Sequence, residues 1–415
     1  MKKIRVTGLF ILLAFSIVFP LLFSDPVVTT IAIFTLIIMV ASTGWNLFSG
    51  YTRYLSLGHA TFYGLGAYIL AALCQGWHVP GGAIPFFLLP VVGLITGLFS
   101  LPLGWIALKT RRSTFMVITI AIFALASILP KLLGTLFSQF SSIYLPVPMW
   151  DQSIFNLPFY YTALLLLFSA LLVSWWMRSS KFGLTLLAIG DDEDRALGLG
   201  NKTSLHKLIS WTISAIFVGM AGSLNAYYLG LIDPASAFER GINIALPVTA
   251  FLGGIGTLGG PLLGAIFTVP IQQYLTLQFG SVGLDLIVYG VLLLVVILVI
   301  PQGLAPVLQK RLLMAVVVLS KKGVSVSGLD GSHFPVTPAI AFPAGLSYEM
   351  ARERETPSQV MEAIGGSIQR SNSVPLSMRR GYSAMKAPRL VPLSQETTTD
   401  SSTMPSISHS DWNME

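Results

Sequence analysis

The sequence predicts an all-α fold, a polytopic transmembrane helix bundle of about nine or ten spans. One span reads as broken or re-entrant, and a disordered C-terminal tail follows. Three observations carry this reading. Of 415 residues, 53% are apolar and only 10% are charged, against about 25% charged in soluble domains. Mean hydropathy is +0.74. Apolar runs of about 20 residues, the length that crosses a bilayer, recur along the chain between Pro, Gly and basic punctuation. The single cysteine, Cys74, excludes an intramolecular disulfide framework and a multi-cysteine zinc site. Five scattered histidines give no metal cluster.

Charge divides the chain. Residues 1–308 read as the transmembrane domain. Residues 309–415 hold 20 of the 43 charged residues and are rich in Ser, Thr and Pro. That composition has little to bury and reads as a cytoplasmic, mostly disordered tail. Its apolar stretch at 312–319 is too short to span.

The first apolar run, 6–23, follows Lys2, Lys3 and Arg5. It lacks a small-x-small cleavage site before Asp25-Pro26, so a retained span is expected rather than a signal peptide. Further spans are expected at 27–48, 62–79, 83–108, 113–134, 157–177 and 208–231. Pro80-Gly81-Gly82, Pro146-Val147-Pro148 and Asp233-Pro234 read as turns. The region 244–300 holds two or three crossings, one of them short because Gly253, Gly254, Gly256, Gly259 and Gly260 interrupt it. With the N-terminus in the cytoplasm, 12 of the 14 basic residues of the core fall on the cytoplasmic side, and only Lys131 and Arg240 fall outside. The basic balance is therefore topological, and nucleic-acid binding has no support.

Four motifs carry mechanism. The largest polar insertion, 178–207, reads as helix, interruption at Gly190, then a second short helix with Asp191, Asp192, Glu193 and Asp194 on its first turn. Asp191 and Arg195 are spaced to pair, and Gly198 and Gly200 end the helix. Such a loop suits docking to a cytoplasmic partner; a solvated connector is the plainer alternative. Asn46, Ser56, His59 and Tyr63, with Asn225 and Tyr228 further on, place hydrogen-bonding groups near membrane depth. They are candidate pathway residues, although a lone histidine more often packs than binds. Gly254-Ile255-Gly256-Thr257-Leu258-Gly259 formally matches a dinucleotide fingerprint, but no strand or soluble domain surrounds it, so a broken helix or tight helix crossing is expected. Gly260 and Gly264 beside it have a close-packing spacing, and Ala215, Gly219 and Ser223 make a small-residue ridge. The sequence has no phosphate-binding loop, no HExxH and no GxSxG, so no enzymatic activity and no cofactor of its own are expected. Asp285 is the one candidate intramembrane acid, which leaves little with which to couple transport to ions.

These residues carry a resemblance. The strings NLFSGYTRYLSLGHATFYGLGAYILAAL, FGLTLLAIGDDEDRALGLGNKTSLHK, AGSLNAYYLGLIDPASAF, FLGGIGTLGGPLLGA and IPQGLAPVL occur in order over residues 27–308. Together they resemble the branched-chain amino acid ABC transporter permease family, closer to its LivM-type than to its LivH-type subunits. The resemblance implies a permease subunit of an ATP-driven importer in the cytoplasmic (inner) membrane, and the distribution of basic residues, with Lys310 and Arg311 after the last run, puts both termini in the cytoplasm. It implies a second permease subunit, commonly different from the first, two cytoplasmic ATPase subunits that bind the ATP, and an extracytoplasmic solute-binding protein. The implied substrates are branched-chain amino acids or related small amino acids and amides. Gly183, Ala188, Ile189, Gly190, Asp191, Asp192, Glu193, Asp194, Ala196, Leu197 and Gly198 match the family's ATPase-coupling loop. An ion-coupled secondary transporter of small neutral solutes is the alternative that composition allows, and a membrane enzyme is disfavoured by the missing clusters of His, Asp or Cys.

Overall fold

The computed structural model describes residues 16–23, 25–136, 142–151, 154–279, 290–291 and 303–304. The chain divides into two units, Met1–Ser327 and Gly328–Glu415, and the second lies outside the described residues. The expected tail, Asp285 and most of the last apolar run also lie outside them, as does the first part of the run at 6–23, of which 16–22 is helical.

Helix α1, Pro26–Trp45, is capped by the Asp25 carboxylate, which accepts from the Val27 amide at 2.9 Å, with Pro26 at its first turn. It continues as a π-helical segment, Asn46–Gly50. A non-helical stretch, 53–59, which opens on Arg53 at a φ of +55, turns back into the bundle and leads to α2, Ala60–Gly76. Then come α3, Ile84–Ala107, and α4, Arg112–Leu136. Strand β1, Ile143–Tyr144, precedes α5, Asn156–Ser179. Two short helices follow, α6, Lys181–Asp191, and α7, Glu193–Gly198. The central helix α8 is Thr203–Leu229. Strand β2, Leu231–Ile232, pairs antiparallel with β1. A single turn α9, Pro234–Ala237, leads to α10, Arg240–Gly253, and α11, Gly260–Phe279. Five of these segments are long and apolar enough to cross a membrane: Pro26–Gly50, Ile84–Ala107, Arg112–Leu132, Asn156–Ser179 and Thr203–Leu229. Their outward faces carry large apolar side chains such as Phe87, Leu94, Leu98, Val117, Leu125 and Leu165, as lipid contact requires.

Helix α8 organises the core. It packs on α1, α2, α3, α5 and the π segment. The expected ridge is buried: Ala215, Gly219 and Ser223 are all inaccessible. Gly219 and Gly222 meet the backbone of α2 at Gly66 and Tyr63. A Cβ on Gly222 would lie 2.0 Å from the Tyr63 carbonyl oxygen, and one on Gly66 2.1 Å from that of Gly219. Only hydrogen at these positions lets the two helix backbones touch.

Two stretches of backbone leave helical geometry inside the bundle. The first is 53–59, with α2 beginning at about half the height of α8. The second follows β2. The sequence reading put 232–243 in an external loop. Instead the chain turns inward after β2, Phe238 lies against Gly64 and stacks on Tyr68 at 6.0 Å, and α10 starts inside the bundle. The absent Cβ of Gly64 makes the room, since one would come within 2.7 Å of the Ala237 carbonyl oxygen. Helix α10 then runs to the end of the molecule where α6 and α7 lie.

Candidate functional site

The basic residues Arg53, Arg112, Arg178, Arg195 and Lys207 gather at that end, around α6 and α7. Ser180 caps α6, accepting from the Gly183 amide at 3.2 Å. Contrary to the expected interruption at Gly190, α6 runs through it to Asp191. Its end is Asp192, whose extended backbone caps α7 and whose carboxylate accepts from the Arg195 amide at 3.1 Å. The expected Asp191–Arg195 pair is therefore absent. The two residues sit on different helices, so spacing of four no longer brings them together. Arg195 pairs with Asp192 at 2.9 Å, and Asp191 pairs with Arg53 at 3.0 Å. Glu193 and Asp194 do occupy the first turn of α7, and α7 ends at Gly198, as expected.

Three ties hold this helical pair to the bundle. Arg112, at the start of α4, donates through Nη2 to the carbonyls of Ile189 and Gly190, at 2.8 and 2.7 Å, and so satisfies the exposed end of α6. Gly190 lies flat on the 51–53 turn, where a Cβ would be 2.6 Å from the Tyr51 carbonyl oxygen. The third tie is the strongest. Lys207 near the start of α8 has a side chain only 3% exposed, and its Nζ lies 2.5 Å from Oε1 of Glu193. Tyr54 donates its hydroxyl to the other Glu193 oxygen, and the Lys207 ammonium sits 4.5 Å from the Tyr54 ring centroid. Burial works against the Glu193 charge, but the hydrogen bonds from Lys207 and Tyr54, with Lys207 and Arg112 nearby, hold its carboxyl below the usual range. The same burial and the Glu193 charge push the Tyr54 phenol up. Gly183, Ile189, Gly190 and Ala196 face inward, whereas Leu184, Asp194, Leu197 and Leu199 face out.

The π segment joins this end to the broken helix. Asn46 acts as a surrogate peptide: its Oδ1 accepts from the Gly256 amide at 2.8 Å and its Nδ2 donates to the Thr257 carbonyl at 3.0 Å. Arg178 donates to the Gly256 carbonyl at 2.7 Å. Gly254 and Gly256 have φ of +117 and +72, the left-handed region that glycine tolerates. The sequence 254–259 is thus a loop between α10 and α11. Those helices pack as a hairpin, with a Cβ on Gly264 only 1.8 Å from the Thr249 carbonyl oxygen and one on Gly253 1.6 Å from that of Gly260. Gly259 has no such neighbour.

At mid-height the non-helical stretch 53–59 needs partners, because backbone groups within a membrane bundle must be satisfied by protein. Neighbouring side chains supply them. The Ser56 amide donates to Ser49 Oγ at 3.3 Å and the Leu57 amide to Thr119 Oγ1 at 3.1 Å. Trp45 Nε1 donates to the Ser56 carbonyl at 2.8 Å and Asn243 Nδ2 to that of Leu57 at 2.7 Å. His59 has both ring nitrogens engaged, with Ser56 Oγ at 2.7 Å and Ser214 Oγ at 2.8 Å, inside a cage of Phe48, Phe62 and Trp211. Of the expected pathway residues, Ser56 and His59 are bonded to each other and buried, with Tyr63 buried one turn further along α2, whereas Asn46, also buried, turns to the 256–257 loop instead. Asn225 and Tyr228 are not with them. The Tyr228 hydroxyl lies toward the β1–β2 end with Thr30 at 2.9 Å and Asn156 at 3.1 Å, and Asn225 is half-buried one turn below.

Sequence reasoning missed Lys207, Tyr54, Arg112, Arg178, Ser214, Thr119 and Asn243 as site residues. Lys207 and Arg112 stood in the sequence only as topological charges. The buried hydroxyls and amides carry no motif of their own.

Comparison with known proteins supplies the context. The sequence profile described as "Branched-chain amino acid transport system / permease component" matches residues 27–297. The chain is 28% identical over 330 residues to the high-affinity branched-chain amino acid transport system permease protein LivM of Escherichia coli K12, covering 72% of this chain and 75% of that one. It is 30% identical over 129 residues to LivH of the same strain, covering 31% and 41%. It is 32% identical over 117 residues to the autoinducer 2 import system permease LsrC of Photorhabdus luminescens, covering 27% and 35%. No solved structure matches.

Proposed function

The chain belongs to the branched-chain amino acid transport system permease family, and on that premise we propose that α6–α7 is the handle by which ATPase subunits drive it. It is a multi-pass membrane permease subunit of an ABC importer. The working assembly in this reading has two such permeases, two ATPases that bind the ATP, and a binding protein that delivers the solute. The solute is a branched-chain amino acid or a close relative, as the names of the LivM and LivH relatives suggest. The end that gathers the basic residues faces the cytoplasm by the positive-inside rule.

One observation carries the handle. Two short helices are exposed at one end yet anchored inward by Arg112, by Glu193 with Lys207, and by the packing of Gly190 on the 51–53 turn. Leu197 and Leu199 at 57% and 81% exposure offer an apolar contact to a partner. A push on α7 passes through Glu193 and Lys207 into α8, and through Tyr54 into the non-helical stretch that begins α2. A push on α6 passes through Arg112 into α4. Because α8 touches α2 backbone to backbone, its displacement cannot be absorbed locally, and the bundle rearranges as a body.

The test is copurification of the ATPase subunits from detergent, with ATP hydrolysis and solute uptake measured in proteoliposomes. Leu197→Arg with Leu199→Arg should release the ATPases while the permease remains folded. Retained ATPases and unchanged uptake in that variant would remove the docking assignment.

A further inference from the structure

The turn that joins α3 to α4 places Lys109, Arg111 and Arg112 within four residues. Arg112 is spent on the carbonyls of Ile189 and Gly190. Lys109 and Arg111 are exposed. The ion pairs among the described residues use Arg53, Arg195 and Lys207, and neither Lys109 nor Arg111 belongs to one. The sequence has no acidic residue between Asp25 and Asp151, so nothing on α1 to α4 supplies a counter-charge. The turn is held in shape, because the amide and the hydroxyl of Thr110 both donate to the Ala107 carbonyl, at 3.2 and 2.8 Å. Like charges this close repel one another, and the repulsion works against the Arg112 tie to α6.

A second observation identifies the anion that these charges fit. Lys109 lies back over its own helix, with Nζ 3.4 Å from the centroid of the Trp105 ring. Trp105 and its neighbour Ile106 are exposed. An exposed indole one turn below a cation is the pattern of a membrane–water boundary. Lys109 and Arg111 therefore stand at the level of the lipid headgroups, on the side that the basic residues mark as cytoplasmic. Below them the two helices leave room for acyl chains. Helix α4 is the least buried of the five membrane-crossing segments. Only residues 108–111 separate it from α3, yet the two helices touch sparingly. Leu98 and Trp105 on α3, and Val117 and Ile120 on α4, stay exposed. The vertex is cationic above and apolar below, which is the outline of a phospholipid with net negative charge. A free anion would use the upper half alone.

We propose that Lys109 and Arg111 clamp the phosphodiester of an anionic phospholipid of the cytoplasmic leaflet, with its acyl chains along α3 and α4, and that this lipid sustains the Arg112 tie to α6. Arg111 offers a planar fork of donors to two phosphate oxygens, and Lys109 offers a point charge. The positive end of the α4 dipole lies at the same vertex. A phosphate there offsets the repulsion among the three cations and favours Arg112 in its place on the Ile189 and Gly190 carbonyls. Arg112 also lies 5.8 Å from the Tyr54 ring centroid, and the charges of Arg111 and Arg112 both bear on Tyr54, whose hydroxyl donates to Glu193. The site thus adjoins two of the ties that hold α6 and α7. A zwitterionic lipid brings its own ammonium and leaves the protein's cations less well matched. The lipid site stands on the turn alone, whereas its effect on transport rests on the reading of α6–α7 as the ATPase-driven handle.

The experiment has two arms, both on the complete transporter. In the first, the complex is stripped of lipid in neutral detergent and offered phosphatidylglycerol or phosphatidylcholine, and intact-complex mass spectrometry reads the lipid retained on this chain. Wild type should retain phosphatidylglycerol at least fivefold over phosphatidylcholine, and millimolar inorganic phosphate should not displace it. Lys109→Gln with Arg111→Gln should retain the two lipids equally. Lys202→Gln removes an exposed charge from the loop before α8 and should behave as wild type. An equal loss in Lys202→Gln would mean bulk charge attraction, displacement by phosphate a free-anion site, and no preference in wild type a turn sealed by a neighbouring subunit. Each of these results would overturn the proposal. In the second arm, solute uptake per ATP hydrolysed is compared in vesicles of phosphatidylcholine alone and in vesicles with one-third phosphatidylglycerol. The anionic lipid should raise this ratio at least threefold in wild type and leave it unchanged in the double variant. An equal rise in the double variant would overturn the link to Arg112. Loss of the ATPase subunits from the double variant in lipid-free detergent would make the turn an ATPase contact and overturn the lipid site. Retention as expected in a complex that moves no solute in either vesicle would sink the importer reading alone.

Discussion

The basic end of the bundle is tied by charges, and its mid-height by neutral groups. At the basic end Glu193, Lys207, Arg112, Arg53 and Asp191 fasten α6 and α7 to α4, α8 and the turn before α2. At mid-height the non-helical stretch 53–59 is fastened by Trp45, Ser49, Thr119, Asn243 and His59. Water explains the difference. An ion pair near the surface loses part of its hydration and regains it from its partner, whereas the same pair in hydrocarbon has no such reserve. Neutral hydroxyl, amide and indole groups satisfy buried backbone at lower cost.

The comparison can be broken at four places. The largest effect is expected at the α10–α11 hairpin, where Gly264→Leu would drive a side chain into the Thr249 carbonyl. Overpacking of this kind costs about 3 kcal/mol, so loss of the folded peak in detergent size-exclusion is expected. Next is Glu193→Ala, which strands Lys207 in a site where its side chain is 3% exposed. Removing one partner of a buried pair costs about 3 kcal/mol, and a matching fall in thermal midpoint should follow, with Glu193→Gln milder because it still accepts from Lys207. The pair also sets an acid limit. The Glu193 carboxyl is held below its unfolded value, so its contribution is complete above the ordinary carboxylate range and is lost as pH falls through the lower, folded value. Glu193→Gln should flatten the acid limb of a stability-versus-pH curve, and an unchanged limb would show that the pair is not what titrates.

His59→Ala comes third. It leaves Ser56 and Ser214 without their shared partner and opens a cavity among Phe48, Phe62 and Trp211. A loss of about 2–3 kcal/mol is expected, with no salt dependence in the denaturation curve. The smallest effect belongs to Asp191→Asn. Its partner Arg53 and Asp191 itself are 64% and 69% exposed, so stability should change by less than about 0.5 kcal/mol. If transport falls nonetheless, Asp191 acts on a partner and not on the fold.

Much of this was legible in the sequence, and the residues show why some was not. The spans stood out because lipid demands continuous apolar runs. The edges of α3, Ile84–Ala107, came within a residue of the expected 83–108. The break at 254–259 announced itself through glycines whose backbone no other residue would adopt readily. The charge pattern of 191–195 marked the two short helices but mispaired their charges, since Asp192 is both the end of one helix and the cap of the next. The turn-back at 53–59 was invisible: its partners Thr119, Ser214 and Asn243 are distant in sequence, and a serine or threonine in an apolar run looks the same whether it caps a carbonyl of its own helix or holds a foreign amide. Arg240 was read as lying outside because it follows a span and the Asp233-Pro234 turn, and Phe238 against Gly64 is what brings the following chain into the bundle.

The inward turn after β2 changes how such a protein can be mapped. A topology drawn from reporter enzymes fused at successive truncations assumes that every segment ends on one side or the other. A fusion made after Phe238 would stop where neither compartment begins, and its signal would follow whatever the unfinished chain does without α10. Reagents that read depth, such as spin labels relaxed by oxygen against a water-soluble metal chelate, would register the halfway position that a two-sided assay has no way to score.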